Sequence, residues 1–493
     1  MTGMNDFGLG DQHREQLYEL FASMPEIEAV YVFGSRARGD YTKTSDVDLA
    51  VKFADAEKGR LSLLSSKLED LPIIYKFDAV DLANIKDEFK ADVERDKKLF
   101  YRKGWRWTTL GEVIETNKHS ITNDYQQNEI LYLDTGSITE GKIDVLQRLS
   151  FSEAPSRARR LVEHGDIVYS TVRPIQRHYG FIENPPNDFV VSTGFTVISC
   201  KKGKADSKFI YYFLMQNEVV ETLDLVANGA TSTYPSIKPT DIENLEIFLP
   251  NIEEQRSIAA VLSSLDDKIE LLREENRTLE AIAQTLFKEW FVDFNFPNKN
   301  GHPYKNSGGK MINSKLGLIP ERWRTGKLGD ILSLEYGKTL KEHDRSGAGF
   351  PVIGSGGIVG YHKDFLIEGP GIVVGRKGNA GCVSWIHHNF YPIDTSFFVA
   401  DQLGIGQLYW HFLTLKQVDF SKVCADSAVP GLNRNIAHSM EIVIPPMQLM
   451  QLFNNSVDGI FSKQGAQSEQ IDYLSKNRDT LISPLLAGDL YMK

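Results

Sequence analysis

The chain has 493 residues with 55 basic and 66 acidic side chains, a formal charge of −11, and hydrophobic and charged shares of 41% and 25%. That length exceeds what one core can serve and predicts three or four domains of ordinary globular composition. No run of eighteen apolar residues occurs and the first residues are polar, so neither a membrane span nor a secretory signal is expected, and a cytoplasmic location is. Cys200, Cys382 and Cys424 have neither metal-ligand nor disulfide spacing. By segment the charge is −4 over 1–104, −5 over 105–250, −4 over 251–300 and +2 over 301–493. No segment is a basic domain, so any nucleic-acid contact must come from local clusters.

In chain order, the first segment (1–104) carries Val32-Phe33-Gly34-Ser35-Arg36-Ala37-Arg38-Gly39-Asp40, then Ser45-Asp46-Val47-Asp48-Leu49. Gly34-Ser35 opens a predicted helix whose first amides and hydroxyl can hold phosphate oxygens. Asp46 and Asp48 stand two apart on a predicted strand, so their carboxylates share a face and suit a divalent cation. The pattern resembles the polymerase-β-like minimal nucleotidyltransferases. The resemblance implies a third acid, Asp78, with Asp81 on the opposite strand face capping the next helix. It also implies Mg²⁺ and a nucleoside triphosphate as cofactors, with Arg36 and Arg38 assisting at the phosphates. The motif leaves both a working enzyme and a retained, inactive fold open.

Segments 105–250 and 301–443 read as strand and turn, rich in β-branched and aromatic residues punctuated by Gly, Pro, Asn and Asp. They share texts. Trp107 to Ile114 matches Trp323 to Leu332, and Gly165 to Val168 matches Gly369 to Val373, with Arg173 and Arg376 following. Thr193-Gly194-Phe195 matches Thr395-Ser396-Phe397, and Tyr212-Phe213-Leu214 matches His411-Phe412-Leu413. Each segment leads into a long helix, over 251–300 and 444–493. Ten a/d heptad positions from Ile258 to Trp290 recur 195 residues later from Phe453 to Leu485. A straight helix over the first seam is about 48 Å long at ~1.5 Å per residue. Antiparallel pairing of the seams puts Asn276 opposite Gln467 and Leu279 opposite Gln464.

Order, repetition and spacing together resemble the specificity subunits of type I restriction–modification systems. The match rests on LPNIEEQRSIAAVLSSLDDKIELLREENRTLEAIAQTLFKEWFVDF, PVIGSGGIVGYHKDF, GPGIVVGRKGNAG, PGLNR and LISPLLAGDL. The resemblance implies two target-recognition domains, each reading half of a bipartite site in double-stranded DNA, with the helices setting the spacer. It implies modification (methyltransferase) subunits, two of them, and restriction subunits as partners, with no cofactor for the specificity region and no membrane. Gly354 to Gly357 lacks the lysine and setting of a phosphate loop, so an NTPase is rejected.

The candidate DNA contacts are loop clusters. In the first half they are Arg157, Arg159, Arg160, Arg173, Arg177, Ser232 and Tyr234. In the second they are Lys338, Lys341, Arg376, Lys377, Asn379, Asn433 and Arg434. The expected fold class is multidomain α+β: an N-terminal α/β nucleotidyltransferase domain, then two α+β recognition domains alternating with two long antiparallel coiled-coil helices about a pseudo-two-fold. The competing reading is a nucleotidyltransferase enzyme whose C-terminal repeats serve only as a docking scaffold.

Overall fold

A computed structural model describes residues 7–54, 59–85, 87–122, 125–229, 235–421 and 431–490. The chain forms two compact units, one of residues 1–267 with 475–493 and one of residues 268–474. None of the described helices is long and apolar enough to cross a membrane.

The first unit begins with α1 (Asp11–Ala22), β1 (Ile27–Phe33), α2 (Gly34–Arg38), β2 (Val47–Phe53), α3 (Arg60–Glu69), β3 (Phe77–Asp81), α4 (Asp87–Asp96) and β4 (Lys98–Arg102). The sheet order is β3-β2-β1-β4, with only the β2–β3 pair parallel. Both faces of β1 are buried, which explains its nearly unbroken apolar run. Val30 and Val32 join Leu17, Phe21, Leu64 and Leu68 in one core. Ala29 and Tyr31 join Leu99, Trp105, Ile258 and Leu485 in another. Side chains alternate across a strand, so a period-2 split feeds two cores at once.

That second core makes the N-terminal domain part of the unit. The expected end of the first segment, at residue 104, is therefore no gap in the packing. Arg102, 7% exposed, donates to Glu254 Oε1 and to the Gly488 carbonyl, each at 2.7 Å. Trp105 Nε1 donates to the other Glu254 oxygen at 2.9 Å, and the Arg102 guanidinium lies 4.9 Å from the Trp105 ring.

The first module has a four-stranded antiparallel sheet in the order 179–181, 167–170, 195–200, 114–116. The second has 383–386, 371–375, 396–401, 332–336. These are the same sheet. Each module adds a second sheet holding one parallel pair, 129–133 with 189–192 and 350–354 with 391–392. Each closes with an entry–exit pair, 106–109 with 246–249 and 324–327 with 441–444. Gly354-Gly357 is the closing pair of a hairpin.

Strand pairing corrects three of the sequence matches. The counterpart of Trp323 is Trp105, because each precedes its entry strand and is buried, at 5% and 1%; Trp107 is 37% exposed. Ser170 pairs with Phe195 as Gly375 pairs with Ser396, so Phe195 corresponds to Ser396 and not to Phe397. Thr171 takes the place of Arg376: their amides bond to Gly194 and Thr395, and their carbonyls accept from Ile237 and Leu432. Arg173 is thus not the equivalent of Arg376. A one-residue slip would have turned every side chain to the other face.

The long helices are α5 (Ile252–Phe287), running on into a π-helical turn at Lys288–Val292, and α6 (Met447–Leu486). Their contacts run antiparallel. In the first unit Asp266 pairs with Arg478 at 2.7 Å. In the second, Gln464 reaches Asn276 and Trp290 meets Phe453 edge-on at 5.6 Å. The expected Asn276–Gln467 amide layer does not form. Gln464 donates at 3.0 Å to the Asn276 main-chain carbonyl, and Gln467 donates to the Glu275 carboxylate. The anion outcompetes the neutral amide for the donor. Asn276 Oδ1 has no hydrogen-bond partner.

Each long helix also grips the start of its own module's helix. Gln255, 1% exposed, accepts from the Asp206 amide at 2.8 Å, and Asn454, fully buried, accepts from the Trp410 amide at 2.9 Å. Tyr212 donates to Asp266 at 2.6 Å, and Tyr409 donates to Asp458 at 2.9 Å.

If Trp105 is the keystone, Trp105→Ala costs about 3–5 kcal/mol, the range for a buried tryptophan. Trp107→Ala costs about 1 kcal/mol or less. Urea titration of the full chain measures both, and equal losses would contradict the correction.

Candidate functional site

The acids of the N-terminal domain lie along adjoining strands. Asp48, half-buried, pairs in register with Asp78 across β2 and β3, and Asp46 directly precedes β2. Burial first, then the charges of Asp78 and Asp46, hold the Asp48 carboxyl above its usual range, while Arg38 and Arg36 oppose the shift. Asp78 and Asp46 both repel charge on the Asp48 carboxyl, and a cation beside it would relieve that repulsion. Gly34 has φ +70°, and a side chain there would strike the Asp48 carboxylate, so its backbone lies flush against the acid. Only glycine meets both demands.

All-oxygen donors of this kind suit Mg²⁺ in chemistry. Their placement is open: among the described residues no set of three His, Cys, Asp or Glu side chains is gathered closely enough to hold a metal ion. Ser35 is half-buried in the first turn of the five-residue α2.

The two arginines part company. Arg36 is 2% exposed and donates to the main-chain carbonyls of Phe7 at 2.7 Å, Ser45 at 2.7 Å and Asp46 at 3.1 Å. Its guanidinium also lies 4.4 Å from the Tyr75 ring. It is a clamp on the loop that carries Asp46, which corrects its expected role as a phosphate contact. Arg38 is exposed at the surface beside the acids, ion-paired to Asp96 at 2.6 Å and Asp40 at 3.3 Å. Arg95 and Arg38 together push the Asp96 carboxyl down to about 2. Asp81 faces away: it accepts from the Ala83 amide and the Asn84 side chain, closing the turn after β3 and not capping a helix.

In the first module, the loop after strand 167–170 carries Arg173 and Arg177 in left-handed conformations, φ +47° and +56°, on either side of the turn Pro174–Gln176. Such backbone costs on the order of 1–2 kcal/mol per residue, and strain of this kind gathers at ligand sites. Arg173 is exposed. Arg177 is engaged by Asn217 at 2.8 Å and Glu140 at 3.6 Å. The Arg157 carbonyl accepts from Thr193, next to Gly194, which anchors Thr171, so the Arg157 and Arg173 loops share a neighbourhood. Arg159 is exposed with its guanidinium 5.5 Å from the Phe151 ring, and Arg160 donates to Ser120 at 3.1 Å. Ser232 and Tyr234 lie outside the described residues.

In the second module four segments converge on Thr395 and Tyr336. The amides of Arg376 and Lys377 both bond to the Thr395 carbonyl, Lys377 bridges to Gly431, and the Lys338 amide bonds to Pro392. Arg376 and Arg434 both place their guanidinium carbons 4.9 Å from the Tyr336 ring. Asn379 is exposed against the hairpin turn at Gly356, and Lys341 is exposed in the loop after strand 332–336. Asn433 caps the helix Arg434–Ser439 through the amides of Asn435 and Ile436, so its oxygen is spent on structure. Tyr336 escaped sequence reasoning; its signal was an aromatic at a strand end followed by Gly-Lys.

The family described as type I restriction modification DNA specificity domain matches residues 102–281 and 320–458. The family described as polymerase beta, nucleotidyltransferase matches residues 15–104. The type I restriction enzyme HindI specificity subunit of Haemophilus influenzae is 25% identical over 462 residues, spanning 78% of this chain and 99% of that protein. A putative type I specificity subunit of Mycoplasma genitalium is 32% identical, spanning 57% of this chain and 70% of that protein. A solved type I restriction–modification S subunit from M. genitalium aligns at 18% identity with a TM-score of 0.46, covering 79% of this chain and 97% of that one. The chain belongs to the type I restriction–modification DNA specificity family, with a polymerase-β-type nucleotidyltransferase domain ahead of the two matched repeats.

Proposed function

We propose that the chain is the DNA-sequence-specificity subunit of a type I restriction–modification complex. Each module reads one half of a bipartite site, and the long helices set the spacer and dock the modification subunits, with restriction subunits joining the complex. The observation that carries this reading is the identical strand order of two modules, each gripped by the long helix that follows it. Two modules with one scaffold and different loops suit two different half-sites on one duplex. The cationic loops supply donors for base edges and phosphates. The acidic total leaves the rest of the phosphate charge to basic partners. A cytoplasmic location follows from the role.

For the N-terminal domain we propose nucleotidyl transfer from a nucleoside triphosphate: an acceptor oxygen bonds to the α-phosphorus while pyrophosphate leaves. Mg²⁺, when bound, would neutralise the triphosphate and the leaving group. Asp46, Asp48 and Asp78 are the residues to hold it. Gly34 and Ser35 leave room and donors for phosphate oxygens, Arg38 faces the same side, and Arg36 keeps the Asp46 loop in place.

Exchanging residues 105–250 for the module of another family member should change one half-site and spare the other, as read by the methylated sequence. A change in both would contradict separate readers. Inserting seven residues after Leu272 and after Gln467 lengthens the helices by about 10.5 Å. The recognised spacer should then grow by about three base pairs at ~3.4 Å each; an unchanged spacer would show that the helices do not set it. Asp46→Asn with Asp48→Asn in the full chain should reduce labelled-nucleotide incorporation to background while target methylation persists. Incorporation at the wild-type level would exclude these acids from catalysis.

A further inference from the structure

Tyr336 ends a strand whose Leu332 and Leu334 are fully buried, yet it is itself 46% exposed. Its ring touches Phe397 at 5.0 Å and takes two guanidiniums, of Arg376 and Arg434, from loops 58 residues apart in sequence. Each arginine is also held from behind. Arg376 has its amide on Thr395, its carbonyl on Leu432 and one Nη1 hydrogen on the Asp394 carbonyl at 3.0 Å. Arg434 opens a helix capped by Asn433 and stands 3.8 Å from Glu335. Two like charges meet on one exposed ring because the π faces attract each of them.

We infer that Tyr336 is a positioning residue for base reading in the second module, fixing the Arg376 and Arg434 forks toward guanine edges in DNA. The inference rests on the specificity reading above. A guanidinium is planar and carries five donors in a fixed fork, and stacking sets its plane before the ligand arrives. A fixed fork can also meet a phosphate in bidentate fashion, but every phosphate is alike and only a base edge makes the contact depend on sequence. The O6 and N7 of guanine demand one bidentate orientation. Thr116 corresponds to Leu334, but in the first module the strand stops there and Asn117 turns left-handed at φ +52°, so no strand residue occupies the position of Tyr336. The device belongs to the second half-site alone.

The test uses the full chain with its modification subunits, methylating a pool of duplexes randomised at both half-sites and sequenced afterwards. Tyr336→Ala should lower guanine preference at one or two positions of the second half-site by about 10-fold or more, within the range of one bidentate contact. The first half-site should be unchanged, and Tyr336→Phe, which keeps the ring, should restore the wild-type profile. An even loss across all second-half sequences would mean phosphate contact and overturn base reading. Damage to both half-sites, or a Phe variant no better than Ala, would mean a structural role and also overturn it. A wild-type profile without two half-sites overturns the specificity reading and this inference together. A bipartite wild-type profile that Tyr336→Ala leaves intact overturns the inference alone.

Discussion

A buried side-chain amide on each long helix, Gln255 on α5 and Asn454 on α6, bonds to the main chain where its module's helix begins. Gln255 accepts from Asp206 there and donates to Pro250 at the start of α5, while Asn454 accepts from Trp410 and donates to Gln407. Both side chains are themselves buried, and losing either amide costs about 1–3 kcal/mol for each main-chain group left without a bond. This constraint fixes the helix-to-module geometry inside each unit. The tyrosine–carboxylate bonds Tyr212–Asp266 and Tyr409–Asp458 reinforce it, about three turns further along α5 and about one turn further along α6. Loops at the far ends of the strands are then free to vary without disturbing the frame that aims them.

The N-terminal domain answers to the same logic. Its β1 strand is apolar on both faces because one face serves α1 and α3 and the other serves the core of the first module and the end of α6. Arg102 and Glu254 seal the seam, with every bond charge-assisted. A domain joined in this way moves with the unit, so its acids have a fixed position relative to the first recognition module. A tethered appendage would have shown a polar second face on the sheet.

Much of this was legible in the sequence, and the misses have physical causes. Heptads announced both long helices, since a repeated four-three step keeps one stripe aligned over ten positions; their antiparallel direction is not in the periodicity and came with the expected architecture. The Gly-Ser and Asp-x-Asp spacing put Asp48 on a strand against Gly34, whereas Asp46 falls just before that strand, where alternation does not fix its face. The module matches slipped by one or two residues at Thr193-Gly194-Phe195 and at Arg173, where residue type repeats but strand register does not. Letters alone carry no register; the bonds of Thr171 and Arg376 do. Arg36 reads as a phosphate ligand until its three carbonyl partners appear, and the Asn276–Gln467 pair fails because Glu275, one position away, is the better acceptor. Both errors come from partners distant in sequence or adjacent on the wrong face.

The central claim is that this chain gives a type I complex its address through two separate readers. Footprinting the full chain with its modification subunits on a duplex carrying the modified sequence tests it most directly. The account predicts two protected patches in the major groove, split by an unprotected spacer, and their loss when either half-site is scrambled. Uniform protection that ignores sequence, or one continuous patch indifferent to the spacer, would contradict it.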